Sequence, residues 1–238
     1  MNITYKDVCI IIPIYKDNID KPILFDEVES IYHTCELFKE YDIYFICSKK
    51  LNTTFYKRFN CKFKYFDFST QLEYSQLCLS DSFYNEFIKY KYMLICQPDA
   101  YVFKNNILDW CNKGYDYIGA LILFDDNMNP IFGDKNINIY KYKNIAFNGG
   151  LSLRNIQNFY NICLKYKDIL KNETMHEDMY ICFKFNDELN IATIDDAIKF
   201  SAENQTYCIY PKIYNELPFG CHMLKVKYKL FDIFNIKI

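Results

Sequence analysis

A single carboxylate, Asp99, stands between two apolar segments of the sequence, directly after Pro98. Proline has no N–H to donate to a strand ladder, so the apolar segment before it is predicted to end there as a buried strand. A carboxylate just beyond a strand end is a hard oxygen ligand for a divalent cation, which could in turn neutralise a diphosphate leaving group. The alternative is an Asp that only caps a turn or a helix.

Three other short segments carry groups that could act with this carboxylate. Gly149 and Gly150 are suited to backbone that passes close to something bulky, or to a tight turn. Glu177 and Asp178 stand at the start of a predicted helix, where an acidic side chain is either a general base or a helix cap. His222 follows a glycine turn and could bind a metal or a diphosphate oxygen through a ring nitrogen, or be structural.

The elements that must position these groups alternate between strand and helix. Residues 8–15 and 92–97 are continuous apolar runs, which are typical of strands covered on both faces. Residues 24–41 have helical spacing and lead into a strand at 42–47, so the chain is predicted to be α/β. In such sheets ligands bind beyond the carboxyl ends of the strands, which is where Asp99 falls.

Further elements are predicted with less regular patterns. The predicted strands are residues 61–68 and 115–119, and the predicted helices are residues 107–112, 156–170 and 177–185, with one or two helices over residues 71–89. Residues 121–145 have weak periodicity and many Asn and Asp residues, so they are predicted to form a long loop. Residues 195–203 and 211–222 are predicted to be irregular.

Composition excludes several classes of protein. The chain has 238 residues, of which 51% are hydrophobic, and its net charge is −2 without a basic stripe, so a nucleic-acid partner is not expected. No signal peptide and no apolar run of membrane-spanning length are recognisable, which predicts a cytoplasmic protein. The lysine-rich, aromatic segment 223–231 leaves open a peripheral contact with the inner face of the membrane. The 11 cysteines contain no CxxC spacing and are predicted to be reduced, small buried hydrophobic residues.

Taken in order along the chain, the motifs resemble those of GT-A glycosyltransferases, particularly the inverting galactosyltransferase type. A bacterial family of glycosyltransferase-like domains is more similar still. The resemblance rests on QPDAYVF at 97–103, WCNKGYDYIGA at 110–120, NGGLSLR at 148–154, ED at 177–178, FSAE at 200–203 and PFGCH at 218–222. It covers nearly the whole chain from Val8 onward.

This resemblance implies a GT-A-like (Rossmann-like) α/β fold, with a mixed, mainly parallel sheet flanked by helices. It implies a single domain over residues 1–238. Residues 1–103 would be the nucleotide-binding half, residues 104–222 the half for the donor sugar and the acceptor, and residues 223–238 a C-terminal tail.

The resemblance also implies roles for individual residues. Asp178 would be the catalytic base and Glu177 would orient the acceptor, or the two roles would be exchanged. Asp99 and His222 would hold a divalent cation, Mn²⁺ or Mg²⁺. The residues implied to bind the nucleotide-sugar donor are Pro13, Tyr15, Ser48, Tyr74, Gln97, Asp99, Gly149, Gly150 and Ser152.

The function implied is transfer of a sugar from a nucleotide-sugar donor to a bacterial surface glycan, with a glycan or lipid-linked glycan as acceptor. Gln97 replaces the first Asp of the Asp-x-Asp motif of the GT-A glycosyltransferases, which lowers the expected affinity for a cation. Because of this difference, a non-catalytic nucleotide- or carbohydrate-binding module on the same fold is the alternative interpretation. A nicotinamide-dependent oxidoreductase is disfavoured, because the turn after the first strand contains no glycine for a pyrophosphate.

Overall fold

The elements of the chain alternate between strands and helices in the computed structural model, which describes residues 3–16, 24–132, 137–210 and 214–236. The strands are β1 (Val8–Pro13), β2 (Asp42–Cys47), β3 (Lys62–Tyr65), β4 (Tyr92–Cys96), β5 (Tyr101–Val102), β6 (Tyr117–Phe124), β7 (Asn144–Asn155), β8 (Ser201–Ala202) and β9 (Gly220–Cys221). The α-helices are α1 (Phe25–Leu37), α2 (Gln71–Cys78), α3 (Asp81–Asn85), α4 (Ile107–Asn112), α5 (Ile156–Lys165), α6 (Lys167–Leu170), α7 (Glu177–Lys184), α8 (Ile194–Phe200) and α9 (Leu224–Ile233).

The larger sheet has six strands in the order β3-β2-β1-β4-β7-β6. Strands β3, β2, β1 and β4 run parallel to one another, and β7 runs antiparallel to both of its neighbours. Every residue of β1, β4 and β6 is buried, as expected for apolar strands covered on both faces. The predicted fold class, a mixed and mainly parallel sheet flanked by helices, is confirmed.

The carboxyl ends of β1 and β4 lie side by side, because these strands pair in register from Val8 with Tyr92 to Ile11 with Ile95. Strand β7 passes the same edge in the opposite direction, with Leu151 opposite Cys96. The segment of β7 that precedes Leu151 therefore lies beyond the end of β4, next to the residues that follow that strand.

A second, three-stranded sheet has the order β5-β9-β8. Cys221 of β9 pairs with Tyr101 of β5 on one side and with Ala202 of β8 on the other. This small sheet joins three chain segments that are far apart in sequence, and it does so next to the edge where β4 ends.

Four predictions about secondary structure are wrong. Residues 211–222 are not irregular throughout, because Gly220 and Cys221 form β9; residues 211–213 lie outside the described residues. Residues 121–145 are not one long loop, because Leu121–Phe124 complete β6 and Asn144 begins β7. The sequence predicted that a strand ends at Gly119. In the structure β6 continues beyond Gly119, and its register against β7 shifts between Ile118 and Ala120. Residues 195–203 are not irregular, since α8 and β8 cover 194–202; Thr193 caps α8 by accepting a hydrogen bond from the Asp196 N–H.

Two other expectations concern the cysteines and the membrane. The cysteines are free thiols, and most of them are buried; Cys35, Cys61 and Cys208 are half-buried. In the part of the chain that the structure describes, none of the helices combines the length and the apolar composition required to span a bilayer.

Candidate functional site

A cavity of about 390 Å³ opens at the carboxyl edge of the larger sheet. Six of the residues that line it were predicted from the sequence to bind the donor or a cation: Pro13, Tyr15, Tyr74, Gln97, Asp99 and His222. Four others were not predicted, namely Phe68, Ser69, Thr70 and Gln71. They belong to the turn before α2 and its first residues, so one wall of the cavity is the start of that helix.

One end of the cavity has aromatic walls. The rings of Phe68 and Tyr74 lie with their centroids 5.5 Å apart, and Tyr15 contributes a half-exposed ring after β1. An apolar end of this kind can stack on a planar base, and the hydroxyls and amides of Ser69, Thr70 and Gln71 add polar groups beside it.

The other end of the cavity is built by the small sheet. Asp99 precedes β5, Glu203 follows β8, and His222 follows β9, so the pairing of these strands brings the three side chains together. The His222 N–H of the backbone donates to the Ala202 carbonyl at 2.9 Å, which fixes the position of the histidine.

The imidazole of His222 lies between acidic and amide oxygens. Its Nδ1 is 2.8 Å from Oε2 of Glu203, while its Nε2 is 3.5 Å from Oδ1 of Asp99 and 3.3 Å from Oε1 of Gln97. Burial would lower the pKa of His222, but its contacts with Asp99 and Glu203 outweigh burial and raise that pKa to about 10. In this arrangement both ring nitrogens face hydrogen-bond acceptors. Binding of a cation at Nε2 would displace the proton from that nitrogen.

The donors around His222 fit a cation that is bound together with a diphosphate. One carboxylate, one imidazole and one amide oxygen face the same place, and Glu203 holds the second ring nitrogen of the histidine, as acidic groups commonly do behind metal-bound imidazoles. Within the described ranges, no group of three or more His, Cys, Asp and Glu side chains could hold a metal. The remaining ligands would be oxygens of the diphosphate, which is how Mg²⁺ is commonly bound.

Gly149 and Gly150 connect this end of the cavity to the predicted catalytic carboxylates. A Cβ on Gly150 would lie 2.3 Å from two ring atoms of His222, and a Cβ on Gly149 would lie 2.5 Å from Oε1 of Glu177. The Gly150 carbonyl also accepts a hydrogen bond from the Gln97 N–H at 2.8 Å. The prediction that backbone passes close to a bulky group here is thus matched by the geometry.

Glu177 is buried in a network of polar side chains below these glycines. Its Oε1 accepts from Nη2 of Arg154 at 3.1 Å, and its Oε2 accepts from the Ser75 hydroxyl at 3.0 Å. Arg154 is fully buried and also donates to the Tyr84 hydroxyl and to Ser152. Both oxygens of Glu177 are therefore engaged inside the protein. The predicted site residues that are not among those lining the cavity include Gly149, Gly150, Ser152, Glu177 and Asp178.

Asp178 is placed differently from its neighbour. Its Oδ2 accepts a hydrogen bond from the Gly149 N–H at 3.3 Å, and its Oδ1 accepts from the Met179 N–H at 2.7 Å. The side chain is half-buried at the start of α7. Burial, together with the negative charge of Glu177, raises the pKa of Asp178 to about 6, which is a favourable range for a general base.

Ser48, predicted from the sequence to bind the donor, lies away from this cavity. It follows β2 and accepts a hydrogen bond from the Lys50 N–H, and it is not among the residues that line the cavity. His33 of α1 also lies elsewhere, with its Nε2 2.8 Å from the Val102 carbonyl oxygen and its ring stacked on Tyr101.

Sequence reasoning missed Glu203 as a site residue, although FSAE at 200–203 was among the resembling motifs. Its carboxylate is buried and contacts His222 directly. The signal available in the sequence was an isolated acidic residue that follows an apolar segment, as Asp99 does.

Comparison with solved structures finds a similar fold in a 4-diphosphocytidyl-2C-methyl-D-erythritol synthase from Anaerococcus prevotii. The TM-score is 0.51 at 14% identity, covering 80% of this chain and 87% of the synthase, so the likeness concerns the fold. A glycosyltransferase involved in the glycosylation of the major capsid of PBCV-1 aligns over 91% of this chain and 94% of its own, at 12% identity. Its TM-score of 0.46 is too low to establish a common fold.

Sequence comparison is more restricted. None of the curated proteins matches this chain. Residues 56–222 match the sequence profile of the family DUF5672, described as a protein of unknown function. That match begins before β3 and ends at His222, and it includes Asp99, Gly149 and Asp178. Because it covers more than half of the sequence, the chain belongs to the family DUF5672.

Proposed function

We propose that the protein is an inverting glycosyltransferase that uses a nucleotide-sugar donor. The observation that carries this proposal is the arrangement around Gly149 and Gly150. The imidazole of His222, which lines the cavity and contacts Asp99, lies against Gly150. The carboxylate of Asp178 accepts a hydrogen bond from the Gly149 N–H, so the two glycines connect it to the edge of the sheet where the cavity opens. Ligands of open α/β sheets bind at this edge.

The cavity suits a nucleoside diphosphate along its length. Tyr15, Phe68 and Tyr74 would enclose the base, and Gln97 would hydrogen-bond the ribose. Asp99, His222 and the amide oxygen of Gln97 are the residues that would hold a divalent cation, Mn²⁺ or Mg²⁺. When bound, such a cation supplies positive charge to the diphosphate as it leaves.

Asp178 is proposed to act as the base of the transfer. It would accept the proton of an acceptor hydroxyl while that oxygen attacks the anomeric carbon of the donor sugar. The bond from that carbon to the diphosphate oxygen breaks, and the nucleoside diphosphate departs with the electron pair. A single displacement of this kind inverts the anomeric configuration and needs no covalent intermediate.

Glu177 would support this step without touching the acceptor. Its carboxylate is bound to Arg154 and to Ser75, and its charge contributes to the raised pKa of Asp178. The proposal therefore assigns proton transfer to Asp178 and positioning to Glu177.

The acceptor is proposed to be a glycan or lipid-linked glycan of a bacterial surface polysaccharide, assembled at the cytoplasmic face of the membrane. This part rests on the resemblance of the motifs. The synthase with a similar fold is named for a product that carries a diphosphocytidyl group, which is in keeping with a nucleoside diphosphate in this cavity.

A donor screen tests the proposal. Thermal unfolding would be measured with UDP-, GDP- and CDP-sugars, each with and without Mn²⁺, and donors that stabilise the protein would be assayed for hydrolysis and transfer. We expect at least one donor to raise the unfolding temperature and to be turned over. If none binds, the assignment of the cavity is wrong.

The second candidate is a binding module without catalytic activity on the same fold. Gln97 favours it, because an amide adds no charge to hold a cation next to Asp99. Donor binding without hydrolysis or transfer, across a panel of glycan acceptors, would support the module over the enzyme.

A further inference from the structure

Lys16 forms an ion pair beside the cavity, at a position to which the proposed function assigns no role. Its Nζ lies 2.6 Å and 2.8 Å from the two carboxylate oxygens of Glu27, in the first turn of α1. The side chain of Lys16 is 20% exposed and that of Glu27 is 6% exposed. The ammonium is therefore fixed in a largely buried place rather than free in solvent.

Several contacts hold this pair in position. The Lys16 carbonyl accepts a hydrogen bond from the Tyr56 hydroxyl at 2.7 Å, and Tyr56 is buried. Oε2 of Glu27 also accepts from the Leu24 N–H at 3.1 Å, at the start of α1. An ammonium has three N–H donors, and the two oxygens of Glu27 account for two of them.

The ammonium lies behind the part of the cavity wall that Tyr15 forms, and Lys16 is not itself one of the lining residues. Its Nζ lies 5.5 Å from the centroid of the Tyr15 ring, which lines the cavity. Burial tends to raise the pKa of Asp99, but the hydrogen bond and charge of His222, with a contribution from the charge of Lys16, lower it below its usual value.

Burying such a pair brings little stability by itself, because both charges lose their hydration. A fixed cation is useful where an anion must bind, since few side-chain motions are lost when it does. Gln97 adds no negative charge beside Asp99 and so holds a cation less firmly than a second carboxylate would, which makes a fixed side-chain cation useful to a bound diphosphate.

We propose that Lys16, oriented by Glu27, is a binding residue for the diphosphate of the donor. This inference rests on the proposed function, because it takes the ligand of the cavity to be a nucleoside diphosphate. Lys16, which follows β1, would thus act together with Asp99, which follows β4, and His222, which follows β9.

The test compares nucleoside diphosphates with their nucleosides. Dissociation constants of UDP, GDP and CDP, and of uridine, guanosine and cytidine, would be measured by calorimetry at fixed Mg²⁺ for the wild type and for Lys16→Met. We expect Lys16→Met to weaken the preferred diphosphate by about tenfold or more, as for loss of one charge-assisted hydrogen bond, and to leave its nucleoside within about twofold. Lys16→Arg should retain most of the affinity.

Two further variants separate binding from folding. Lys16→Met leaves the Glu27 carboxylate unpaired, so the double variant Lys16→Met/Glu27→Gln removes the charge without that cost and should show the same selective loss. Lys62→Met is the matched control, since Lys62 pairs with Asp42 at the exposed edge strand β3; it should change neither affinity.

The outcomes distinguish the two proposals. Equal weakening of diphosphate and nucleoside, or no weakening of either in the single and double variants, would overturn the role of Lys16 while leaving the cavity assignment intact. Failure of all three diphosphates to bind the wild type would overturn the proposed function itself, and the diphosphate role of Lys16 with it.

Discussion

The guanidinium of Arg154 and the carboxylate of Glu177 form an ion pair inside the protein, with Nη2 and Oε1 3.1 Å apart. Arg154 comes from β7 and Glu177 from the first turn of α7, so the pair joins the sheet to the helix that carries Asp178. Ser75 of α2 completes the contact by donating to the same carboxylate. The position of Asp178 thus depends on a buried charge pair.

Removing one partner of this pair should strongly destabilise the protein. We expect Arg154→Met to lower the free energy of unfolding by about 3–5 kcal/mol, because it leaves the Glu177 carboxylate buried without its counter-ion. Chemical denaturation would measure this loss. In the double variant Arg154→Met/Glu177→Gln much of the stability should return, and Lys165→Met, which breaks the exposed pair with Glu188, should have a far smaller effect.

Replacing Asp178 by Asn should separate chemistry from binding. We expect the transfer rate to fall by about 100-fold or more, since an amide cannot accept the acceptor's proton, while the donor dissociation constant stays within about twofold. Single-turnover transfer and calorimetry would provide the two measurements. The exposed Asp168→Asn in α6 serves as the control. Unchanged turnover in Asp178→Asn would remove this residue from the mechanism.

The pH dependence of transfer should report the pKa of Asp178. A base acts in its deprotonated form, so the rate should be low at acidic pH and rise through about pH 6, rather than near the ordinary Asp value of 3.8. The measurement is the rate of transfer at saturating donor and acceptor between pH 4.5 and 8, a window chosen as about 1.5–2 units on either side of that midpoint. A rate that is flat across this window would contradict the assignment.

The origin of the raised pKa can be tested with Glu177→Gln. Burial would still raise the pKa of Asp178, but the negative charge beside it would be gone, so its deprotonated form would be less disfavoured. We expect the rise in transfer rate on the acidic side of the pH profile to move to lower pH. A rise that stays in place would mean that burial alone sets the pKa.

Much of this architecture was predictable because it is encoded locally. Strands β1, β2 and β4 are continuous apolar runs, and their ends place Tyr15 and Asp99 at one edge of the sheet. His222 could be placed near Asp99 only through the order of the motifs, since the two residues are brought together by the short strands β5 and β9.

The parts that were missed depend on pairing between distant segments. Strand β7 contains Asn148, Gly149 and Gly150, whose propensity for strands is poor, and it is extended because it pairs with β4 and β6. Glu203 meets His222 because β8 pairs with β9, and no spacing in the sequence shows that pairing. The same reason explains why Lys16 was not recognised from the sequence.

Adding one methyl group at Gly150 should weaken ligand binding in the cavity without removing any polar group from it. The new Cβ would lie 2.3 Å from Cδ2 and Nε2 of His222, so the imidazole would have to leave its place between Glu203 and Asp99. We therefore expect Gly150→Ala to weaken the binding of a nucleoside diphosphate in the presence of Mn²⁺ by about tenfold, as for loss of one charged hydrogen bond.

The matched control for this variant is Gly114→Ala. Gly114 has a φ of +77° and open space around its Cα, so alanine there should cost about 1 kcal/mol of stability through backbone strain and leave nucleotide affinity unchanged. Calorimetry and thermal unfolding of both variants would separate the two effects. If Gly150→Ala bound the nucleoside diphosphate as tightly as the wild type, the imidazole of His222 could not be a necessary part of the binding site, because no alanine side chain fits beside it in its present position.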